Sequence, residues 1–346
     1  MSPRAKYLAR HAEPEAALAA SLPLSHYHHV LVIPARQESS ESLTRVWQAA
    51  TMPLLIIVVV NASSPDDTET RALLDELTRN HAHRRSNLYL SERDRVHVLA
   101  VDRCTDGRLL PARQGVGLAR KIGADIALQS MEHGLIQSPF IHCTDADVQL
   151  PVDYFADPDP VAAAHLYPFR HLGEPDLSLP ANLYEISMLY YVAGLRWAGS
   201  PYGFTTIGST IAVHGDHYAA VRGFPKRNAA EDFYLLNKLA KTGVIHQRSA
   251  PAIQIRARRS DRVPFGTGIN LSRIAAMADP ERSFEFYHPA IFEMLKDWQA
   301  MLRSLEPGDE PGKSRRPGEL SLWAEASGFD RVVTDRGKGF KRRDTF

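Results

Sequence analysis

The chain has 346 residues, 44% of them hydrophobic, so it can bury the core of one large α/β domain or of two smaller ones. Its 41 basic and 40 acidic side chains leave a formal charge of +1, which excludes nucleic acid or an anionic membrane as a partner attracted by net charge. With two cysteines, Cys104 and Cys143, and no stretch of about 20 apolar residues, we expect neither disulfide nor membrane span, and a cytoplasmic protein with reduced thiols.

Hydrophobic periodicity predicts strands and helices in alternation after an N-terminal arm. Residues 1–25 are expected to form a short amphipathic helix or a loose arm, followed by an exposed polar segment with His26, His28 and His29. Strands are predicted at 30–34, 54–60, 96–101, 140–143, 206–213 and 252–257, and helices at 41–50, 68–80, 115–131 and 231–241. This alternation is typical of βαβ units and predicts an α/β fold with a Rossmann-like, mostly parallel sheet and helices on both faces.

Two segments depart from the alternation. Residues 152–203 are rich in proline and aromatic side chains, and we expect an irregular insertion that faces the substrate. Beyond residue 305 the composition changes to glycine, proline and charge, which is typical of a linker followed by a flexible basic tail. The predicted organisation is an arm over 1–25, one domain over 26–305, and a linker with a tail over 306–346.

The sharpest local motif is Asp145-Ala146-Asp147, which directly follows the apolar segment FIHC. In a mostly parallel sheet, ligands bind beyond the carboxyl ends of the strands, and paired carboxylates in that position can bind Mg²⁺ or Mn²⁺. Such a cation would neutralise the negative charge that develops on a diphosphate leaving group. The alternative is a surface turn, where aspartate is favoured because it hydrogen-bonds locally.

A second acidic motif, Glu231-Asp232, lies at the start of a predicted helix with the sequence AAEDFYLLNKLAK. The helix dipole stabilises acidic side chains in this position, so capping is one explanation of the pair. The functional alternative is that one of the two carboxylates acts as a general base and deprotonates an acceptor hydroxyl.

Three segments in this order resemble glycosyltransferase family 2 and its neighbours with the GT-A fold, over residues 28–265. VLVIPARQES is similar to the family's first strand and Pro-Ala-x-Asn-Glu turn, with Gln37 in place of asparagine. Asp145-Ala146-Asp147 is similar to the metal-binding Asp-x-Asp motif. GSTIAVHGDHYAAVRGFPKRNAAEDFYLLNKLAK is similar to the block in which a Gly-Ser strand, a Gly-Phe-Pro turn and Glu-Asp precede a helix. The resemblance implies a GT-A domain over 26–305.

The resemblance also implies roles for residues of these motifs. It implies a divalent cation, Mn²⁺ or Mg²⁺, at Asp145 and Asp147. It implies that Asp232, beside Glu231, is the catalytic base if the enzyme inverts the anomeric configuration. The contacts to the nucleotide-sugar donor are expected from Pro34, Ala35, Arg36, Glu38 and Asp145.

Further donor contacts are less closely tied to a motif. The segment GLARKIGAD resembles the family's helix with Ala-Arg-Asn-x-Gly, which makes Arg120 a donor contact, with Lys121 in place of asparagine. Either residue could instead be an exposed helix charge. The segment 61–95 is longer than the family's acidic turn, and Asp66 or Asp67 could take the role of binding the base.

Late in the chain, four arginines are dense enough to clamp a diphosphate, because guanidinium groups bind phosphate oxygens in pairs. The alternative is a solvated basic face. His246 is a candidate for a third metal ligand, and Trp197 for stacking against an acceptor sugar. The four arginines are Arg256, Arg258, Arg259 and Arg262.

Together these features predict a metal-dependent transfer of a sugar from a nucleoside diphosphate sugar to the hydroxyl of a small molecule, lipid or glycan. Two alternatives stay open at this point. A haloacid-dehalogenase-type Mg²⁺-dependent phosphatase also places Asp-x-Asp after a buried strand, although Gln149 occupies the position where that class usually has threonine or valine. The other alternative is a binding protein that kept the GT-A fold and lost catalysis, although both acidic motifs are present.

Overall fold

A computed structural model describes residues 1–47, 50–93, 95–156, 161–259 and 266–304. The chain divides into two compact units. The larger unit comprises Met1–Glu185 and Thr206–Pro280, and the smaller comprises Ile186–Thr205 and the residues from Glu281 onwards. Within the described residues, no helix combines the length and the apolar character needed to cross a bilayer.

The first part of the chain alternates strands and helices, because short β-branched apolar runs are separated by turn-forming residues. Its elements are α1 (Pro3–Arg10), α2 (Pro14–Ala19), β1 (His29–Ala35), α3 (Ser40–Trp47), β2 (Leu54–Asn61), α4 (Thr68–Thr78), β3 (His83–Arg85), β4 (Leu88–Arg93), β5 (Val96–Arg103), α5 (Gly115–Glu132) and β6 (Phe140–Cys143).

The second part of the chain has shorter strands. Its elements are β7 (Val148–Gln149), β8 (Ala164–Leu166), β9 (Phe169–Leu172), α6 (Pro175–Trp197), β10 (Ile211–His214), α7 (Gly215–Ala220), α8 (Glu231–Leu239), β11 (Ile245–Gln247), β12 (Ile253–Arg256), α9 (Thr267–Ala275), α10 (Pro280–Ser283) and α11 (Pro289–Ser304).

Nine strands form the central sheet in the order β11-β8-β10-β6-β1-β2-β5-β4-β3. Strands β6, β1, β2 and β5 lie side by side and run parallel. Strand β10 is antiparallel to both of its neighbours, and β3, β4 and β5 are joined antiparallel at one edge. The sheet is flanked by helices, so the predicted α/β fold class with a large, mostly parallel Rossmann-like or GT-A-like sheet is confirmed.

The parallel strands are continuous apolar runs because both of their faces are covered. Every residue of β2 is buried, and so is every residue of β1 except Pro34. Helix α5 approaches this sheet closely at Gly123, where an added Cβ would lie 2.4 Å from Cγ1 of Val32. Cys104 and Cys143 are both buried and are not joined in a disulfide.

The two N-terminal helices are anchored on α5 by a buried polar network. Tyr7 of α1 donates a 2.6 Å hydrogen bond to the Asp125 carboxylate, and Lys121 Nζ lies 2.8 Å from its other oxygen. The hydroxyl of Tyr218 and the backbone N–H of Glu13 donate to the same carboxylate. The N-terminal segment therefore forms packed helices rather than a loose arm. Lys121 is buried in this network, so its interpretation as an exposed helix charge is wrong.

The segment 152–203 is largely regular, and the predicted irregular insertion is therefore wrong. It contains β8, β9 and the 23-residue helix α6, which includes Pro180. Proline removes one helical hydrogen bond, but apolar packing of the first turns of α6 offsets this cost. The buried cluster that packs there comprises Leu177, Ala181, Ala257 and Leu271.

Three smaller differences from the predicted elements concern the segment between β2 and β5, the start of β10 and the burial of His29. The long segment between β2 and β5 contains the hairpin of β3 and β4 in addition to α4. The strand predicted at 206–213 begins only at Ile211, because Gly208–Thr210 form a turn of 3₁₀-helix. His29 is buried in β1 rather than exposed, and its ring stacks on Phe155 with the centroids 4.9 Å apart.

A second sheet has three strands in the order β7-β12-β9. Strand β12 pairs antiparallel with β7 and parallel with β9. Its residues alternate between buried Ile253 and Ile255 and exposed Gln254 and Arg256, so one face of this sheet is open to solvent. Strand β7 begins directly after the Asp-x-Asp motif, which places this sheet next to the predicted cation site.

The smaller unit packs the C-terminal half of α6 with α11. Gly194 lies against the ring of Phe292, and an added Cβ would be 2.4 Å from Cε1 of that ring. Trp197, the predicted acceptor contact, belongs to this unit and is 52% exposed. Lys296 Nζ lies 4.4 Å from the centroid of the Trp197 ring, so part of the indole face is covered by a cation.

Candidate active site

The order of the parallel strands defines where a ligand can bind. From β1 the chain proceeds to β2 and then to β5 on one side, and it crosses back through α5 to β6 on the other side of β1. A crevice opens at the carboxyl ends of β1 and β6, where the connections lead in opposite directions. Residues 36–38 follow β1, and Asp145 and Asp147 follow β6. Two of the predicted motifs therefore flank this crevice.

The turn after β1 is held by hydrogen bonds to the start of α4. Gln37 has a φ of 55°, a conformation that costs a residue other than glycine about 1–3 kcal/mol. Its N–H donates a 2.9 Å hydrogen bond to Thr70 Oγ1. Arg36 Nε donates to the buried carboxylate of Asp67 at 3.1 Å, and Asp67 also caps α4. Asp67 is thus engaged by Arg36 and the helix, whereas Asp66 is exposed.

One guanidinium group joins the two acidic motifs. Arg120 of α5 donates from Nη2 to Asp145 Oδ1 at 2.6 Å and from Nε to Glu231 Oε1 at 2.9 Å. Arg120 is only 2% exposed. Burial by itself lowers the pKa of Arg120, but the two carboxylates raise it above its usual value, so the guanidinium stays charged. The Asp-x-Asp turn and the start of α8 therefore meet at one buried cation, and Arg120 is not an exposed helix charge.

Glycine is required beside this guanidinium group. An added Cβ at Gly208 would lie 2.6 Å from Arg120 Nη2, which is closer than such atoms approach. Nη1 of Arg120 is buried and has no hydrogen-bond partner within the part of the chain that the structure describes. The N–H groups of Nη1 are therefore able to bind an anionic ligand at the site.

The two acids of the second motif have different environments. Glu231 is buried in its ion pair with Arg120. Asp232 accepts a 2.7 Å hydrogen bond from the N–H of Phe233, and burial followed by the charge of Glu231 raises the pKa of Asp232 to about 7. Ala230 caps α8 with a φ of 60°, so the backbone is strained directly before the pair. The pKa of Asp232 is therefore suited to exchanging a proton near neutral pH.

A second guanidinium group, that of Arg258, joins the turn after β1 to the Asp-x-Asp turn. Arg258 Nη2 contacts Glu38 Oε1 and lies 2.9 Å from Asp147 Oδ2. Burial by itself lowers the pKa of Arg258, but the hydrogen bond to Glu38 and the charge of Asp147 raise it overall. The carbonyl oxygen of Asp147 also accepts the N–H of Arg256 at 3.2 Å, which ties the Asp-x-Asp turn to β12.

A cleft of about 400 Å³ opens beside Asp147. Its walls are α3, the Asp-x-Asp turn and the edge of the three-stranded sheet. Apart from Asp147, the polar side chains of these walls carry amide, hydroxyl and guanidinium groups. Asp147 is the only acidic side chain among the described residues that line it. The polar lining includes Ser42, Arg45, Gln149, Gln254 and Arg256.

The remaining predicted residues have other surroundings. Pro34 is half-buried and Ala35 is buried at the end of β1. Arg259 forms an ion pair with Asp176 at 2.9 Å, and both side chains are more than half exposed. The ring of His246 lies 3.1 Å from that of His165 on the neighbouring strand β8. Arg262 lies outside the described residues.

Arg120 therefore joins Asp145 to Glu231, and Arg258 joins Glu38 to Asp147. From the sequence, Arg258 is expected only as one of four arginines that could clamp a diphosphate, and Gly208 has no expected role. The signal for Gly208 is its place in the Gly-Ser pair that precedes β10. No comparable signal separates Arg258 from Arg259, because their different surroundings depend on the tertiary structure.

The residues at the crevice fit a divalent cation that is bound together with a ligand. Asp145 and Asp147 supply the oxygen donors that Mg²⁺ and Mn²⁺ prefer. In the described ranges, no group of three or more histidine, cysteine or acidic side chains is arranged to hold a metal by itself. A cation such as Mg²⁺ is commonly held by one or two carboxylates together with substrate phosphates and water, which agrees with this donor set.

Comparison with known proteins finds similarity among solved structures. No protein-family profile matches the sequence, and no curated protein sequence matches it significantly. The chain is similar to the mannosyltransferase PcManGT from Pyrobaculum calidifontis, solved in complex with GDP-Man and Mn²⁺. The two are 14% identical with a TM-score of 0.40, and the match covers 97% of this chain and 92% of the other.

Proposed function

We propose that the protein is a glycosyltransferase that uses a nucleoside diphosphate sugar, with a divalent cation at Asp145 and Asp147. The observation that carries this proposal is the ion pair of Arg120 with Asp145 and Glu231, which joins the Asp-x-Asp turn to the Glu-Asp helix at the crevice. A cation and a base must act on one substrate in glycosyl transfer, and the two motifs that would supply them lie together here.

The residues of the crevice have separate roles in this proposal. The turn at 34–38 contacts the nucleoside of the donor, as its place after β1 suggests. When bound, the cation supplies positive charge that stabilises the diphosphate as it leaves. Arg120 holds the Asp-x-Asp turn against α8, and its buried Nη1, which has no partner among the described residues, is the proposed hydrogen-bond donor to an anionic group of the substrate. Arg259 and Arg262 belong to the proposed donor site only through the density of arginines in their segment.

Asp232 is the proposed catalytic base. A base acts most effectively when its pKa lies near the pH of the reaction, and the pKa of Asp232 is raised to about 7. It takes the proton from the acceptor hydroxyl as that oxygen attacks the anomeric carbon, which gives an inverted product. Glu231 does not fit this role equally well, because its carboxylate is neutralised by Arg120. Glu231 instead positions Arg120.

The phosphatase alternative requires the first aspartate of Asp-x-Asp as a nucleophile. Asp145 Oδ1 accepts a 2.6 Å hydrogen bond from the buried guanidinium of Arg120, which reduces the nucleophilicity of that oxygen. No contact in the described residues favours this alternative over sugar transfer.

Calorimetric titration tests the proposal. UDP and GDP are titrated into the protein with and without Mn²⁺, and into the variants Asp147→Asn and Asp176→Asn. Asp176 is the matched control, because it pairs with an arginine and is exposed. We expect at least one nucleotide to bind only with Mn²⁺, with about 10-fold or greater loss in Asp147→Asn. Equal affinity in every condition, or no binding of either nucleotide, would contradict the proposal.

A further inference from the structure

We propose that Arg258, which bridges Glu38 and Asp147, lies where a divalent cation at Asp145 and Asp147 would contact Asp147, and that the cation displaces it when the donor binds. This inference rests on the proposed function for the identity of the donor. The single atom Nη2 of Arg258 lies within hydrogen-bonding distance of one oxygen from each carboxylate. The two carboxylates come from different turns, after β1 and after β6, and they converge on the same positive atom.

Neither carboxylate is exposed enough for water alone to stabilise its negative charge. The Glu38 side chain is 8% exposed and the Asp147 side chain 11% exposed. Two carboxylates held this close repel each other unless a positive charge lies between them. Arg258 supplies that charge when no cation is bound, so it holds the Glu38 and Asp147 carboxylates close together before the cation arrives.

The two arginines of the site differ in how easily they can leave. Arg120 is locked between two carboxylates and has a 3% exposed side chain, whereas the Arg258 side chain is 31% exposed. Moving Arg120 would leave an uncompensated charge in the interior, but Arg258 can turn into solvent. The exchangeable partner of the Asp-x-Asp motif is therefore Arg258, and Asp147 is the carboxylate that it releases.

Displacement would also make Arg258 available to the donor. A guanidinium group binds phosphate oxygens as well as it binds carboxylates, and a diphosphate next to the cation brings new oxygens to the site. Arg258 thus opposes the cation when the donor is absent and supports the diphosphate when it is present. The expected consequence is that free cation binds weakly, and that cation and nucleotide bind together.

Electron paramagnetic resonance of free Mn²⁺ tests this competition without nucleotide and without activity. The protein, Arg258→Gln, Glu38→Gln and the control Arg71→Gln are titrated with Mn²⁺. Because removing a nearby positive charge favours a divalent cation, Arg258→Gln is expected to bind Mn²⁺ about 10-fold or more tightly than the unchanged protein. Arg71→Gln is expected to stay within about twofold, since its exposed pair with Asp106 is screened. Glu38→Gln is expected to bind more weakly.

The same variants are then titrated with UDP or GDP at saturating Mn²⁺, where Arg258→Gln should lose about 10-fold in nucleotide affinity. Thermal unfolding confirms that each variant is folded. If Arg258→Gln does not fold, Arg258→Lys replaces it, and a smaller gain in Mn²⁺ affinity is expected because lysine keeps the positive charge but not the guanidinium geometry. Unchanged Mn²⁺ affinity in a folded Arg258 variant, or no Mn²⁺ binding by any variant, overturns the inference. Absence of nucleotide binding with intact Mn²⁺ competition overturns the proposed function alone.

Discussion

The two guanidinium groups of the site, Arg120 and Arg258, are chemically the same and differ in burial. Each joins two carboxylates from separate turns of the larger unit. Arg120 lies under the Gly-Ser-Thr turn with almost no exposed surface, whereas nearly a third of the Arg258 side chain is exposed. The comparison shows that burial, rather than the number of partners, separates an ion pair that holds a site together from one that can exchange.

The two ion pairs also differ in what surrounds them. The buried pair has Asp232 as a neighbour, whose pKa is raised by burial and by the charge of Glu231. The ion pair of Arg258 with Asp147, which is partly exposed, borders the cleft beside Asp147. The expected division of labour places proton transfer at the Arg120 side of the crevice and cation exchange at the Arg258 side, and the following changes test it.

The largest effect is expected for Asp232→Asn, on the buried side. Turnover should fall by roughly 10²–10⁴-fold because asparagine keeps the shape but removes the base, while nucleotide affinity stays within about twofold. Because the pKa of Asp232 is raised, its carboxylate is protonated at low pH and becomes a base as the pH rises through about 7. Initial rates should therefore increase across this range in the unchanged protein.

The residual rate of Asp232→Asn should not follow that increase. Rates of sugar transfer measured from pH 5.5 to 8.5 on both proteins decide the matter. A variant with near-normal turnover, or a product that keeps the donor's anomeric configuration, would contradict the assignment of Asp232 as base.

The next largest effect is expected on stability. Arg120→Met should lower the free energy of unfolding by about 3–5 kcal/mol, because Asp145 and Glu231 lose a buried partner. Arg258→Met should lower it less, by about 1–3 kcal/mol, because the Arg258 side chain is already 31% exposed and its ion pairs are partly screened by solvent. Urea unfolding followed by circular dichroism measures both. Equal losses in the two variants would show that burial does not separate the two ion pairs.

A further effect on stability is expected for Gly208→Ala. The added Cβ would lie 2.6 Å from Arg120 Nη2, so the guanidinium must shift, at a cost of about 1–3 kcal/mol. Gly215→Ala is the control, because the nearest atom there is the flexible Sδ of Met131 at 3.1 Å. In a double-mutant cycle with Arg120→Met, the cost of Gly208→Ala should largely disappear. Additive costs would show that Gly208 does not act through Arg120.

Most of the larger unit's fold could be predicted from local pattern. The continuous apolar runs of β1 and β2, and the position of Asp145 and Asp147 after β6, follow from β-branched segments bounded by turn residues. The error at 152–203 arose because a high content of proline and aromatic residues indicates irregular structure locally, whereas apolar packing of α6 outweighs the hydrogen bond that Pro180 removes. Local pattern cannot predict this, since the partners of α6 come from distant parts of the chain.

The sequence by itself determined which chemical groups are available: carboxylates after β6 and at the start of α8, and arginines in α5 and after β12. Only the tertiary structure decided which arginine meets which carboxylate. Arg258 and Arg259 are adjacent and chemically equal, yet one bridges Glu38 and Asp147 and the other pairs with Asp176 on the surface. The physical reason is that the strength and lifetime of an ion pair depend on distance and solvent access, which chain order does not specify.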